Sequence, residues 1–167
     1  MRAVVVYESL WGNTAAVARA IAEGLGPDVP ALSTAEATRE AVEGAELIVA
    51  GAPVFAFHLS SDKVRDDIGA HPDPSLPAPD LSHPSMRHWL EALAPGTGRS
   101  AAFDTQVKGP FGKGAPTIAE ALQAKGYARL ADPVGFYVKG KPGPLREGEL
   151  ERARTWGVRL AELLEEC

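Results

Sequence analysis

Three successive valines, Val4-Val5-Val6, run through Tyr7 and Glu8 into a short polar turn, and a helical pattern begins at once. The run is β-branched and too short for a helix, so Arg2–Tyr7 reads as a buried strand. From Asn13 to Leu25 the period changes. Val17, Ala18, Ile21, Ala22 and Leu25 share one face, and Gly26-Pro27 ends the helix. A strand feeding a helix through Ser9-Leu10-Trp11-Gly12-Asn13-Thr14 aims several backbone N–H groups, and the positive end of the helix dipole, at one point. Such a junction can hold a phosphate without a lysine. Ser9 and Thr14 add hydroxyl donors, Gly12 allows positive φ or a close approach to a ligand, and Asn13 suits a turn. The bland alternative is a helix cap and nothing more. Neither Gly-x-Gly-x-x-Gly nor Gly-Lys-Ser/Thr is present, so the common dinucleotide and nucleotide loops are excluded.

Strands and helices alternate along the rest of the chain. Val29–Leu32 reads as a weak second strand, Ala35–Val42 as a short helix and Glu46–Gly51 as a strongly buried third strand. The stretch from Ala52 to Pro84 reads as mostly loop, rich in Pro and Asp, with one or two helical turns over Asp62–Ile68. Ser85 is a natural N-cap for Met86–Leu93. Arg99–Asp104 is a fourth strand, and Pro116 opens a helix that Gly126 ends. Ala128–Val138 is a fifth strand that could break near Asp132-Pro133. Leu150, Ala153, Trp156, Leu160, Leu163 and Leu164 form the apolar stripe of a closing helix. This alternation implies an α/β fold, a parallel sheet with right-handed crossovers in a single domain spanning all 167 residues. The pattern does not set the strand order.

Two further stretches carry unusual residues. Gly51-Ala52-Pro53-Val54-Phe55-Ala56-Phe57 puts two aromatics just beyond a buried strand, where they could complete the core or flank a flat ring. Asp104-Thr105-Gln106 follows the fourth strand, and Asp104 could cap the next turn or accept a hydrogen bond from a ligand. His58, His71, His83 and His88 match no metal spacing and lie in or beside the loop-rich stretch; His58 alone follows a site loop, where it could donate a proton but reads better as a surface residue. No Gly-x-Ser-x-Gly elbow supports a hydrolase. The net charge of −5 argues against nucleic acid. Between Thr34 and Pro84 nine acids face three bases, either a solvated surface or a field that steers a basic partner. No run is long enough to span a membrane, no leader is evident, and the single Cys167 cannot form an internal disulfide, so a cytoplasmic setting is expected.

The first loop resembles the flavodoxin family's flavin-phosphate loop, Ser/Thr-x-Ser/Thr-Gly-x-Ser/Thr, matching it at Ser9, Gly12 and Thr14 and departing at Trp11. Gly51 and Pro53 resemble its Gly-Gly-Pro segment, with Ala52 in place of the second glycine. The resemblance implies a flavodoxin-like three-layer sandwich, a five-stranded parallel sheet of order 2-1-3-4-5 with the ligand at the switch point between strands one and three. It implies noncovalent FMN, with the phosphate on Ser9, Leu10, Trp11, Gly12, Asn13 and Thr14. The ring would lie between Pro53, Val54, Phe55, Ala56 and Phe57 on one side and Asp104, Thr105 and Gln106 on the other. The family's stacking tyrosine is absent, so Trp11, Phe55, Phe57 or Phe111 would have to supply that contact. The function so implied is electron transfer between a redox partner protein and a protein or small-molecule acceptor, by a monomer or homodimer with no nucleic acid and no membrane. The alternatives are a small NAD(P)H-dependent quinone-type reductase, whose pocket wall the long segment after Phe55 would build, or a flavin-free binding module with Trp11 in the ring's place.

Overall fold

The computed structural model describes residues 1–55, 58–109 and 112–167, with residues 55 and 58 described by their backbone only. Ala56, Phe57 and Phe111, and the side chains of Phe55 and His58, lie outside the described residues. The elements are β1 (Ala3–Tyr7), α1 (Asn13–Leu25), β2 (Ala31–Ser33), α2 (Arg39–Val42), β3 (Leu47–Phe55), β4 (His58–Leu59), α3 (Asp62–Ala70), α4 (Met86–Ala92), β5 (Arg99–Val107), α5 (Ala115–Ala124), β6 (Ala128–Arg129), β7 (Val134–Val138) and α6 (Glu149–Glu165). The sheet runs β2-β1-β3-β5-β6, and β7 continues beside β5 where β6 stops. Counting β6 and β7 as one strand interrupted around Asp132-Pro133 gives the parallel order 2-1-3-4-5.

The pleat sends alternate residues to two cores. Ala3, Val5, Tyr7, Val49, Ala101 and Phe103 face α1 and α6, while Val4, Val6, Ile48, Ala50 and Ala102 face α4 and α5. On the first side α1 and α6 nearly touch. A Cβ on Gly24 would lie 2.1 Å from the Arg154 carbonyl oxygen, and one on Gly157 would lie 2.2 Å from that of Ile21. Phe103, Phe136 and Trp156 meet edge to face above them, with ring centroids 6.1–6.4 Å apart. Trp156 and Leu164 pack on this core and Ala153 and Leu160 are buried in it, but Leu150, expected on the same stripe, is exposed.

Several boundaries differ from the sequence expectation. The short second helix covers only Arg39–Val42, begun by the Thr38 hydroxyl accepting from the Ala41 N–H. The third and fourth strands each extend past their expected ends, so Pro53 pairs with Thr105 inside the sheet instead of lying in a loop. β1 stops at Tyr7, and its last rung is the Glu8 N–H donating to the Gly51 carbonyl. With a two-residue period, Pro53 falls on the same side of β3, beyond the end of β1, where its missing N–H breaks no ladder. Residues 52–84, read as mostly loop, in fact contain the end of β3, β4 and the nine-residue α3, capped by Ser61. Among the described residues, no helix is long and apolar enough to cross a membrane, and no cluster of His, Cys, Asp or Glu could hold a metal.

Candidate functional site

A cavity of about 460 Å³ opens at the carboxyl ends of β1, β3 and β5. Ser9, Leu10, Trp11, Asn13 and Thr14 form one end of it. Pro53 and Val54, Thr105, Gln106 and Val107, and Val138 form its floor and sides. Val64, Asp67 and Ile68 of α3 supply a further wall, and Lys141 reaches the rim. Its size and mainly apolar walls with a few polar groups at one end are those of a small-molecule site.

The polar end is the β1–α1 turn. Gly12 precedes α1 at φ 90°, where no Cβ penalty applies, and no side chain caps the helix. The Ser9 hydroxyl instead accepts from the Gly12 N–H (3.1 Å), which closes the turn and leaves its own hydrogen for another partner. The Thr14 and Thr105 hydroxyls lie 2.8 Å apart and share one hydrogen bond, tying α1 to β5 across the cavity floor. The Asn13 amide donates to the Pro142 carbonyl (3.0 Å), so it anchors the loop before α6. Gly143 passes so close that a Cβ there would lie 2.5 Å from Asn13 Oδ1. The Trp11 indole N–H donates to the Pro77 carbonyl (2.9 Å), and Lys141 Nζ lies 5.9 Å from the indole ring centroid. The indole thus forms part of the wall and leaves the cavity open beside it.

Behind the turn lies a buried polar network that the sequence reading missed. Glu8, fully buried, accepts from the Met86 N–H (2.9 Å), the Ser60 hydroxyl (2.5 Å) and Arg65 Nη1 (2.8 Å). Arg65 Nη2 donates to the His83 carbonyl. His83 Nε2 accepts from the Ser9 N–H (3.0 Å), and the Asp80 N–H donates to the Leu10 carbonyl (2.8 Å). His83 is therefore buried. Burial, and then the Arg65 guanidinium, hold its pKa below the ordinary histidine value. The one signal in sequence was Glu8 itself, an acid closing a run of buried β-branched residues, a place that demands a partner.

Asp104 is not on the cavity wall. Its carboxylate accepts from the Gly114 and Ala115 N–H groups (2.8 and 2.9 Å) at the start of α5 and from the Gln106 side-chain amide (2.6 Å). This is the capping role of the two considered. Burial raises its pKa despite these three donors. Gln106, oriented by that bond, and Thr105 do reach the cavity. Gly51 is structural. A Cβ there would lie 2.1 Å from Phe103 Cζ, so the Phe103 ring occupies its side-chain position. Of the expected ring contacts, Trp11, Pro53 and Val54 line the cavity. Ala56 and Phe57 lie outside the described residues, as does the side chain of Phe55. Gly12 shapes the turn without lining the cavity.

No protein-family model and no curated protein sequence matches the chain. Solved structures do. A flavodoxin from the domain Archaea superposes with a TM-score of 0.69 at 24% identity, covering 99% of each chain. Flavodoxin 2 from Bacillus cereus, in its oxidised form, gives 0.68 at 15% identity over 97% of this chain and 99% of its own. A flavodoxin, WrbA-like protein from Agrobacterium tumefaciens gives 0.62 at 18% identity over 98% and 97%. The fold is flavodoxin-like over nearly its whole length.

Proposed function

We propose that the cavity binds FMN and that the protein transfers electrons through it. The observation that carries this reading is the cavity's polarity: an uncapped helix start with two hydroxyl groups at one end, apolar walls along the rest. The residues fit the group. The first-turn N–H groups of α1, the Ser9 hydroxyl and the Thr14–Thr105 pair suit a dianionic phosphate ester, with Lys141 adding a positive charge at the rim. Leu10, Trp11, Pro53, Val54 and Val138 offer a ring apolar faces, and the indole of Trp11 is fixed by Pro77, so little ordering cost attends stacking on it. Gln106 can hydrogen-bond a polar ring edge. When bound, the isoalloxazine supplies the one- or two-electron chemistry. The chain's own residues hold it, exclude water and set its surroundings.

A flavin-free binding module is disfavoured because the cavity stays open beside Trp11. A quinone-type reductase keeps one supporting observation, the α3 wall that makes the opening a pocket rather than a surface groove. The experiment is direct. The purified protein, or its apo form titrated with FMN, should show flavin absorbance and quenched flavin fluorescence, and heat should release FMN and not FAD. Protein that stays colourless in excess FMN overturns the reading. Oxidation of NAD(P)H without an added reductase would move it from carrier to reductase.

A further inference from the structure

The cavity's polar end is held from behind, by residues that no ligand would touch. Pro77, Asp80 and His83 each bond to the turn: the Pro77 carbonyl accepts from the Trp11 indole N–H, the Asp80 N–H donates to the Leu10 carbonyl, and His83 Nε2 accepts from the Ser9 N–H. The third of these depends on protonation. An imidazole nitrogen accepts a backbone N–H only when it carries no proton itself, so the hydrogen of His83 resides on Nδ1. Nδ1 faces Asp80 Oδ1 at 3.8 Å. We infer that His83 is a positioning residue for the β1–α1 turn: its neutral imidazole latches Ser9 to the 77–83 segment, and protonation at Nε2 opens the latch.

The physical reason is a clash of donors. An Nε2–H pointed at the Ser9 N–H places two positive hydrogens together, and the buried contact must break. The groups around the ring are few. From α3, the Arg65 guanidinium lies against the His83 carbonyl and opposes a second positive charge. From the end of β1, Glu8 favours the charge, as does Asp80 from the ring's own segment. Burial and Arg65 outweigh them, which keeps the ring neutral at neutral pH. Losing the latch frees Ser9, whose hydroxyl closes the turn onto Gly12, so the spacing of the donors at the start of α1 changes with it. Resting on the FMN reading, the consequence is that phosphate-ester affinity falls on acidification.

The test uses the full chain. In isotope-labelled, flavin-free protein, the Ser9 and Gly12 amide resonances are followed from about pH 8 to about pH 5, the span over which a histidine changes charge. Both should shift with the midpoint of the His83 ring itself. In His83→Gln, whose amide oxygen can accept the same bond without titrating, that transition should vanish. In Asp80→Asn, which retains an acceptor for Ser82, the midpoint should move down, because the carboxylate facing Nδ1 is gone. FMN affinity in the unaltered protein should fall about tenfold further across the range than in His83→Gln, the worth of one hydrogen bond, the change left in the variant being that of the phosphate ester's own second ionisation. A Ser9 amide indifferent to pH, or one that titrates unaltered in His83→Gln, overturns the latch. If His83→Gln does not fold, an Asp80→Asn midpoint that fails to move overturns it. If FMN binds at no pH while the Ser9 amide still follows His83, the latch stands and the cofactor reading falls.

Discussion

The two faces of the sheet are covered in different ways. On one side the 13-residue α1 and the 17-residue α6 press together through Gly24 and Gly157 over a core with four aromatic rings, and the buried Glu149 sits at the start of α6, paired with Arg152. On the other, α2, α4 and α5 are shorter, and the sheet's upper end is closed by α3 and the 77–85 segment around Glu8, Arg65 and His83. The first face is held by shape, the second by matched donors and acceptors. A dry face tolerates little volume change and draws little on charge; a wired face depends on every donor keeping its acceptor.

The largest expected effect breaks the wired face. Glu8→Ala leaves the Arg65 guanidinium buried without its carboxylate and removes the acceptor for Met86 N–H and Ser60, so it should cost about 3–5 kcal/mol in urea unfolding. Adding Arg65→Met to it should recover part of that loss, since a buried pair replaced by apolar groups is often neutral. Next comes Gly157→Ala, whose new methyl collides with the Ile21 carbonyl and must push α1 off α6. It should cost about 1–3 kcal/mol, with no change in the pH dependence of stability. Third, the wired face should respond to acid. The folded-state pKa of His83 lies below its unfolded value of 6.5, so its contribution is full above that value and is lost as pH falls through the folded one. Unfolding free energy measured from neutral pH downward should drop in this window, and the drop should disappear in His83→Gln. Smallest of all, Glu23→Ala removes the exposed carboxylate that bridges α1 to Arg154 of α6 and should leave the denaturation midpoint where it was. A clear loss there would mean that the dry face also relies on charge.

The same contrast explains what could be read from sequence. α1 was legible from Asn13 to Leu25, and α4 and α5 from their caps, because local spacing and local chemistry dictate them. The strand ends were not. Gly51-Ala52-Pro53 and Asp104-Thr105-Gln106 look like loops, since Gly, Pro and polar residues are poor strand formers, but each stretch is held in register by the other. At the site, the β1–α1 turn was legible because strand, turn and helix adjoin in sequence. The α3 wall, the tie of Asn13 to Pro142 and the Glu8–Arg65–His83 network were not, because their partners lie 18 to 129 positions apart and no local pattern couples them. Asp104 illustrates the intermediate case: capping and ligand contact demand the same carboxylate, and only the position of the start of α5 separates them.

Pro53 has one more effect, on the protein's relations with other chains. Above Gly51 the third strand runs on after β1 has ended, and Pro53 stands there before Val54 and Phe55 pair with β4; a free peptide donor at such a spot would invite an extended segment to join the sheet. A proline offers that visitor nothing to grip. The residue that helps to line the cavity therefore also leaves no free peptide donor where β1 ends.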